Sequence, residues 1–541
     1  MRKIILAILS LLFMVVLAAC GNNGGEQASA TPAPADAGAT PTPAAEAPAD
    51  PTNETAPGGQ RYGGVLRFVS HLSVSSPGYT PELTGNAALP FITLAYESLL
   101  TFDASGNFVP LLATDWVVDA SEPSITWTLR QGVYFSDGEP FNAEAVRTNI
   151  LEYQNFGRGE VANVADFEII DNYTIKMILG QWDSSMLESI GFFVFYMSPL
   201  ALQDTDSLRQ TSAGTGPFQV VEFNPGVRVL YERNENHWRE GRPFLDGVAM
   251  YTIEEPTTRA FAFEAGEFDM VFMNNLVVGQ QLIDSGLYVL HENQSGVGLV
   301  GVGLIPNSAM PGSPFADVRV RQAMSYALNE HALAQMFGRG LLTTTNQWAA
   351  PGAITFNPNV SGFPYNPDRS RELMAEAGFA DGFDTNIYTV VGNVDLITAA
   401  AHMLTEVGIR AQIVQIDDPT QTSHMGTGGW EGIMMHFHAL SPNLGLYMGR
   451  HLDGAFYVNG LDIPDEVMDL LQRIRTAPTE DERVVLEHQM QTLIYDELAL
   501  FGQPVFISRE PVLSYPHVRD SNFGTYHLFT WTPHEMWLDR D

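Results

Sequence analysis

The chain has 541 residues, 45% of them hydrophobic and 11% aromatic, enough to bury a sizeable core and too apolar for a disordered protein. Its 63 acidic against 27 basic residues give a net charge of −36, which excludes nucleic acid and an anionic membrane surface as direct ligands. The single cysteine, Cys20, has no second thiol to pair with, so stability must come from burial.

In chain order, Arg2 and Lys3 form a positive start, and an apolar run from Ile4 to Val16 follows, broken only by Ser10. The run is too short for a comfortable permanent span, and no stop-transfer pattern follows it, so it reads as a removable signal over 1–19. Leu17-Ala18-Ala19-Cys20 looks like a lipobox, which implies a mature chain beginning at a lipidated Cys20. Two or more acyl chains anchor stably where one holds only marginally. The expected location is therefore extracytoplasmic, lipid-anchored to the cell membrane, in a periplasm or on a Gram-positive surface. Residues 20–60 are Gly, Ala, Pro, Thr and acidic residues without an aromatic, a linker of about 40 residues and roughly 35 Å reach as a flexible coil.

From Arg61 onward strands and helices alternate. Residues 64–69 read as a first strand, and 125–130 alternate as a half-buried strand does. Ser136-Asp137-Gly138-Glu139-Pro140 makes a turn, and Asn142 caps a helix carrying Val146, Ile150 and Tyr153. Asp317 caps a helix with Met324, Ala327 and Leu328 on one face; Asn329 caps a second, ending at Gly338. Asn366-Pro367 opens another that stops at Gly378. A helix over 394–407 stops at Gly408 and feeds a strand over 409–416, and Thr479 with Glu482 forms a capping box for a helix to about Leu498. So many mixed βα units exceed one core, and two α/β lobes are expected.

Catalytic signatures are absent: no Gly-x-Ser-x-Gly elbow, no His-Glu-x-x-His, no P-loop and no EF-hand. Gly296, Gly298 and Gly301 match the dinucleotide fingerprint, but Val302-Gly303-Leu304-Ile305-Pro306 reads as strand, where pyrophosphate binding needs a helix N-terminus. His436-Phe437-His438 would put two imidazoles on one face of a strand, a pattern that suits a metal or metal chelate, or simply two polar residues at a strand end. His237, His517 and His534 show no ligand spacing and are expected to be structural or exposed.

Four segments resemble the extracellular solute-binding protein family 5, the oligopeptide-, dipeptide- and nickel-binding receptors of ABC importers. The first runs from Tyr96-Glu97-Ser98-Leu99-Leu100 to Trp116 and on through Trp127 to Phe141. The second is Gly214-Thr215-Gly216-Pro217-Phe218 with Arg233-Asn234-Glu235-Asn236-His237-Trp238. The third is Gly266-Glu267-Phe268-Asp269-Met270, and the fourth is Phe315 to Ala327, containing Asp317 and Arg321. The resemblance implies an α/β, two-lobed periplasmic-binding-protein type II fold with an extra subdomain in the first lobe. Lobe I would be 61–97, 208–303 and 507–541, the subdomain 98–207, and lobe II 304–506. It also implies a monomeric receptor without catalytic residues, cofactor or resident metal, which traps a small-molecule or peptide ligand between lobes and delivers it to ABC permease subunits.

Peptide-binding members carry an aspartate for the peptide's free amine. By-eye alignment puts Phe437 at the aromatic preceding it and Leu440 at the acid. A buried ammonium without a counter-charge costs several kcal/mol, so oligosaccharides, N-blocked peptides and metal chelates join peptides as ligand classes. The expected contacts are Phe437 as stacking platform, His436 and His438 as polar partners, Trp348 and Tyr447 as further aromatics, and Asn274 and Asn275 as amide donors and acceptors. An exported hydrolase on the same scaffold is the rival from another class; turnover of a bound solute separates the two.

Overall fold

The computed structural model describes residues 56, 58–83, 88–103, 107–291, 300–338, 341–390, 394–440, 443–452, 458–501, 504–508, 511–525, 527 and 529–540. The expected signal, Cys20 and nearly all of the expected linker lie outside them. Two large sheets organise the unit Asp50–Asp541. In the seven-stranded sheet the spatial order is Val289–His291, Val512–Ser514, Met270–Phe272, Val65–Ser70, Gly247–Thr252, Arg228–Arg233 and Phe218–Asn224. Its centre is parallel: Val65–Ser70 runs alongside both Gly247–Thr252 and Met270–Phe272.

Such a strand is buried on both faces, and its sequence shows why. Leu66 and Phe68 alternate with Val69, and the two sets enter different hydrophobic clusters; Met270 and Phe272 alternate with Val271 and Met273 in the same way. The six-stranded sheet is ordered Leu342–Thr343, Pro504–Ser508, Val300–Pro306, Ile433–Ala439, Phe383–Val390 and Ile409–Ile416. Here Ile433 and Met435 face one cluster with the helices Val318–Ala327 and Val394–Glu406, while Met434 faces another.

A four-stranded antiparallel sheet of Ala113–Asp119, Ser124–Leu129, Thr174–Leu179 and Val164–Asp171 lies in the chain between two strands of the seven-stranded sheet, Val65–Ser70 and Phe218–Asn224. Ile125, Trp127, Ile175 and Met177 pack with Val146, Ile150 and Tyr153 of the Ala143–Phe156 helix in one cluster.

Several expected elements appear within a residue or two. Asn142 caps the Ala143–Phe156 helix by accepting from Ala145 N at 3.0 Å; Asp317 caps Val318–Ala327, and Asn366 caps Pro367–Glu376. The strand Ile409–Ile416 has the expected bounds, and Val300–Pro306 is a strand, which removes the dinucleotide reading.

Two corrections follow from the backbone. The last helix is α only over Glu480–Thr492 and widens to a π turn at Leu493–Leu498, where the Asp496 carboxylate accepts from Ser361 N and Gly362 N. The lobe boundaries at 303/304 and 506/507 cut through strands. Val300–Pro306 pairs with Ile433–Ala439 along its whole length, and Pro504–Ser508 pairs with Val300–Pro306, so both strands belong to the second sheet. The chain therefore leaves the first sheet after His291 and returns to it after Ser508.

The family-like motifs are scaffold, knitted by Glu97. Its buried carboxylate accepts from Thr215 Oγ1 at 3.0 Å, Trp238 Nε1 at 2.7 Å and Arg239 Nη1 at 2.8 Å. Against burial, His237 with its Nε2 3.8 Å away, the charge of Arg239 and the Trp238 hydrogen bond hold its pKa at about 2. Gly214 and Gly216 are required by close approach: a Cβ on either would sit 2.0 Å from Ala95 O or 2.5 Å from Ala95 C. In the third motif, fully buried Asp269 accepts from Arg67 Nε at 3.1 Å and Nη2 at 3.0 Å, with Arg540 and His517 against it.

Candidate functional site

In open α/β sheets, ligands bind beyond the carboxyl ends of parallel strands. In the first sheet those ends are Ser70, Thr252 and Phe272. The crossovers out of and back into this sheet leave from His291 and arrive at Val512, which pair with each other beside Phe272. In the second sheet, Phe383–Val390 runs parallel to Ile409–Ile416 and Ile433–Ala439, with carboxyl ends Val390, Ile416 and Ala439. The same crossovers reach that sheet at Val300 and Ser508; Val300 pairs with both Ala439 and Ser508. Both crossovers thus join the two carboxyl edges.

On the second sheet's side, the structure brings Trp348, Tyr447 and His436 together. Trp348 lies 5.0 Å edge-on from Tyr447, and His451, which sequence reasoning missed, completes the group. Tyr447 and His451 stack with centroids 4.2 Å apart and planes at 26°. His451 is 5.1 Å from Trp348 and 5.6 Å from His436. Trp348 also meets Phe501 edge-on at 4.8 Å.

Tyr447 and His451 are one turn apart on the Leu444–Leu452 helix, so i, i+4 spacing puts them on one face. That spacing was a usable signal for His451. Asn443 accepts from Leu446 N at 3.1 Å, and the buried Glu487 carboxylate accepts from Leu444 N at 2.8 Å and pairs with Arg483 at 2.7 Å. Burial raises the Glu487 pKa against these partners.

Phe437 and His438 occupy strand positions opposite Val302 and Gly301; their side chains lie outside the described set. Leu440, at the expected acid position, is buried in the apolar cluster.

On the first sheet's side, Asn274 and Asn275 follow Phe272 and are exposed. Asn274 Oδ1 accepts from Arg259 Nη2 at 2.6 Å, and Asn275 Oδ1 accepts from Val278 N at 3.0 Å, capping the Leu276–Asp284 helix. Both therefore have structural partners at this edge. Sequence reasoning missed Arg259, fully buried and donating to the carbonyls of Ile253 and Glu254, and His71, which follows the first strand directly and lies 5.4 Å from the Phe272 ring. Burial first, then the charge of Arg259, holds His71 near pKa 4, so it is neutral at ordinary pH. Among the described residues no group of three or more His, Cys, Asp or Glu is placed to hold a metal ion, and no helix is long and apolar enough to cross a membrane.

The family model for bacterial extracellular solute-binding proteins, family 5, matches residues 107–454. The chain belongs to this family. A glutathione-binding protein of Salmonella typhi is 27% identical over 363 residues, covering 65% of this chain and 70% of that one. Heme-binding protein A of Haemophilus influenzae is 27% identical over 354 residues, 59% of this chain and 63% of that one.

Among solved structures, the periplasmic binding protein DppA of Helicobacter pylori, in complex with the peptide STSA, superposes with a TM-score of 0.74 at 22% identity, over 89% of this chain and 99% of its own. NikA of Brucella suis, in complex with Fe(III)-EDTA, gives 0.76 at 19% identity, over 87% and 100%. These likenesses establish the family 5 fold. The glutathione, heme and DppA relatives are named as binding proteins.

Proposed function

We propose that this family 5 solute-binding protein is the lipid-anchored receptor of an ABC importer, capturing a peptide-class solute between two lobes and handing it unchanged to a permease. Lobe I would comprise 61–97, 208–291 and 511–541, the subdomain 98–207, and lobe II 300–508. The observation that carries the reading is the pair of carboxyl edges joined by two crossovers, with Trp348, Tyr447, His451 and His436 gathered at one of them. Two crossovers allow hinge closure, and ligand stabilises the closed state by its differential affinity. Phe437 and His438 extend the same strand, and Asn274 and Asn275 stand at the opposing edge.

The lipobox reading of Leu17-Ala18-Ala19-Cys20 supports the anchor, and the absence of a catalytic motif supports a non-enzymatic role. Leu440 at the acid position favours peptides whose amine is blocked or read elsewhere. A second reading, a metal chelate, is favoured by the two imidazoles of His436 and His451 at 5.6 Å. Titration calorimetry with free peptides, N-acetylated peptides, glutathione, oligosaccharides and nickel chelates tests both readings. Binding of a peptide class supports the first, binding of nickel–histidine alone the second, and no heat from any of them contradicts both.

A further inference from the structure

Among the described residues, hydrogen bonds and an ion pair join the subdomain to the second-sheet body through the loop 182–184. Helices end with unsatisfied carbonyls. Two carbonyls at the C-terminal end of the Asp465–Arg475 helix, and one just beyond it, accept from the other body. Ser184 Oγ donates to Ile474 O at 3.1 Å, Ser184 N to Arg475 O at 2.7 Å, and Trp182 Nε1 to Ala477 O at 2.8 Å. Asp183, buried, accepts from Arg475 Nε at 2.7 Å, close to where a cation also complements the helix dipole. Ser185 N and Oγ hold the same carboxylate in place at 2.9 and 2.7 Å. Asn443 Nδ2 donates to Ser184 O at 3.1 Å while its Oδ1 caps the helix that carries Tyr447 and His451.

We propose that Trp182, Asp183 and Ser184 form a closure latch, which engages the end of the Asp465–Arg475 helix and reports through Asn443 to the aromatic wall of the site. The inference rests on the receptor reading above. The hydrogen bonds and ion pair of the latch are ones that water can replace when the bodies part, while the Trp182 ring packs against the apolar cluster that contains Ile474. Asp183 and Arg475 are 292 residues apart in sequence, one on the subdomain loop and the other on the second-sheet body.

The test needs no ligand. Hydrogen exchange and small-angle scattering are measured on the unliganded full chain as wild type, Arg475→Ala and Trp182→Phe, the last keeping the ring while removing its donor. The latch predicts a protected Ser184 amide in the wild type. It predicts at least tenfold faster exchange at Ser184 and Leu446 in both variants and a larger radius of gyration for Arg475→Ala, with exchange in the Ile409–Ile416 strand unchanged. Fast exchange at Ser184 in the wild type, or unchanged exchange and radius in both variants, overturns the latch. So does acceleration that extends equally to Ile409–Ile416, which would mark general destabilisation. Failure of the receptor reading is distinct, since it shows as the absence of heat with every ligand class.

Discussion

Glu97 shows how one side chain can account for a set of sequence motifs. Two donors from the second motif, Thr215 and Trp238, and Arg239 immediately after it converge on it. Glu97→Gln turns an acceptor-only carboxylate into an amide facing those donors and leaves Arg239 without its counter-charge. We expect a loss of about 3 kcal/mol, read as a lower midpoint in urea. A change under about 0.5 kcal/mol would contradict the packing account.

Trp348 is 2% exposed and meets three rings, so Trp348→Ala should cost about 3–5 kcal/mol and weaken ligand binding together. An unchanged melting temperature would place that ring outside the core.

Acid should destabilise the fold through its buried histidines. Burial lowers His71 and His291 to about pKa 4 and His527 to about 3; burial is also the largest cause for His534, at about 3, all from an ordinary 6.5. As pH falls through 6.5 the unfolded chain takes up protons that the folded chain refuses until 4 or 3. Stability is therefore full above about pH 6.5 and falls below it, by up to about 1.4 kcal/mol per pH unit for each histidine. Glu97, depressed from 4.5 to about 2, adds stability that is lost as pH falls through that lower range. Melting temperatures from pH 7 to 4 check this: a steady fall is expected, shallower in His527→Gln, and a flat profile would contradict the neutral assignments.

At this scale the sequence exposed Trp348, Tyr447 and His436 as candidates because aromatics and paired histidines are conspicuous by type. It concealed His71 and Arg259, whose role at the sheet edge comes from strand order, and strand order is a property of contacts between distant segments.

Helices whose ends carry a capping side chain were legible to within a residue or two, since Asn142, Asp317 and Asn366 act on amides two or three positions away. Asn142→Ala should cost about 1 kcal/mol by thermal denaturation, and no measurable change would deny it the cap. The π turn at Leu493–Leu498 was not legible, because its carboxylate, Asp496, answers amides at Ser361 and Gly362 far away in the chain. The Leu444–Leu452 helix depends likewise on a distant residue. Glu487→Ala removes the acceptor for Leu444 N and the partner of Arg483 in one step. A loss of about 2–4 kcal/mol and a weakened Tyr447–His451 wall are expected; binding and stability equal to wild type would show that the helix is positioned otherwise.

For the whole molecule, the two-sheet α/β architecture was readable from alternating strand and helix patterns, and the family from motifs in order. The crossing points were not. Val300–Pro306 alternates valine with glycine before Leu304-Ile305, and nothing in that pattern says which sheet it joins. Only its pairing with Ile433–Ala439 shows that the crossover precedes it. Strand order also brings the carboxyl edges of both sheets to the same two crossovers, and the central claim rests on this arrangement: a solute is held there and released unaltered. Incubation of the full chain with the solute panel, followed by mass spectrometry of the native complex and of the solute recovered after denaturation, tests that claim most directly. The account predicts one solute per chain, recovered at its original mass; a chain that retains no solute, or a solute recovered as cleaved products, would contradict it.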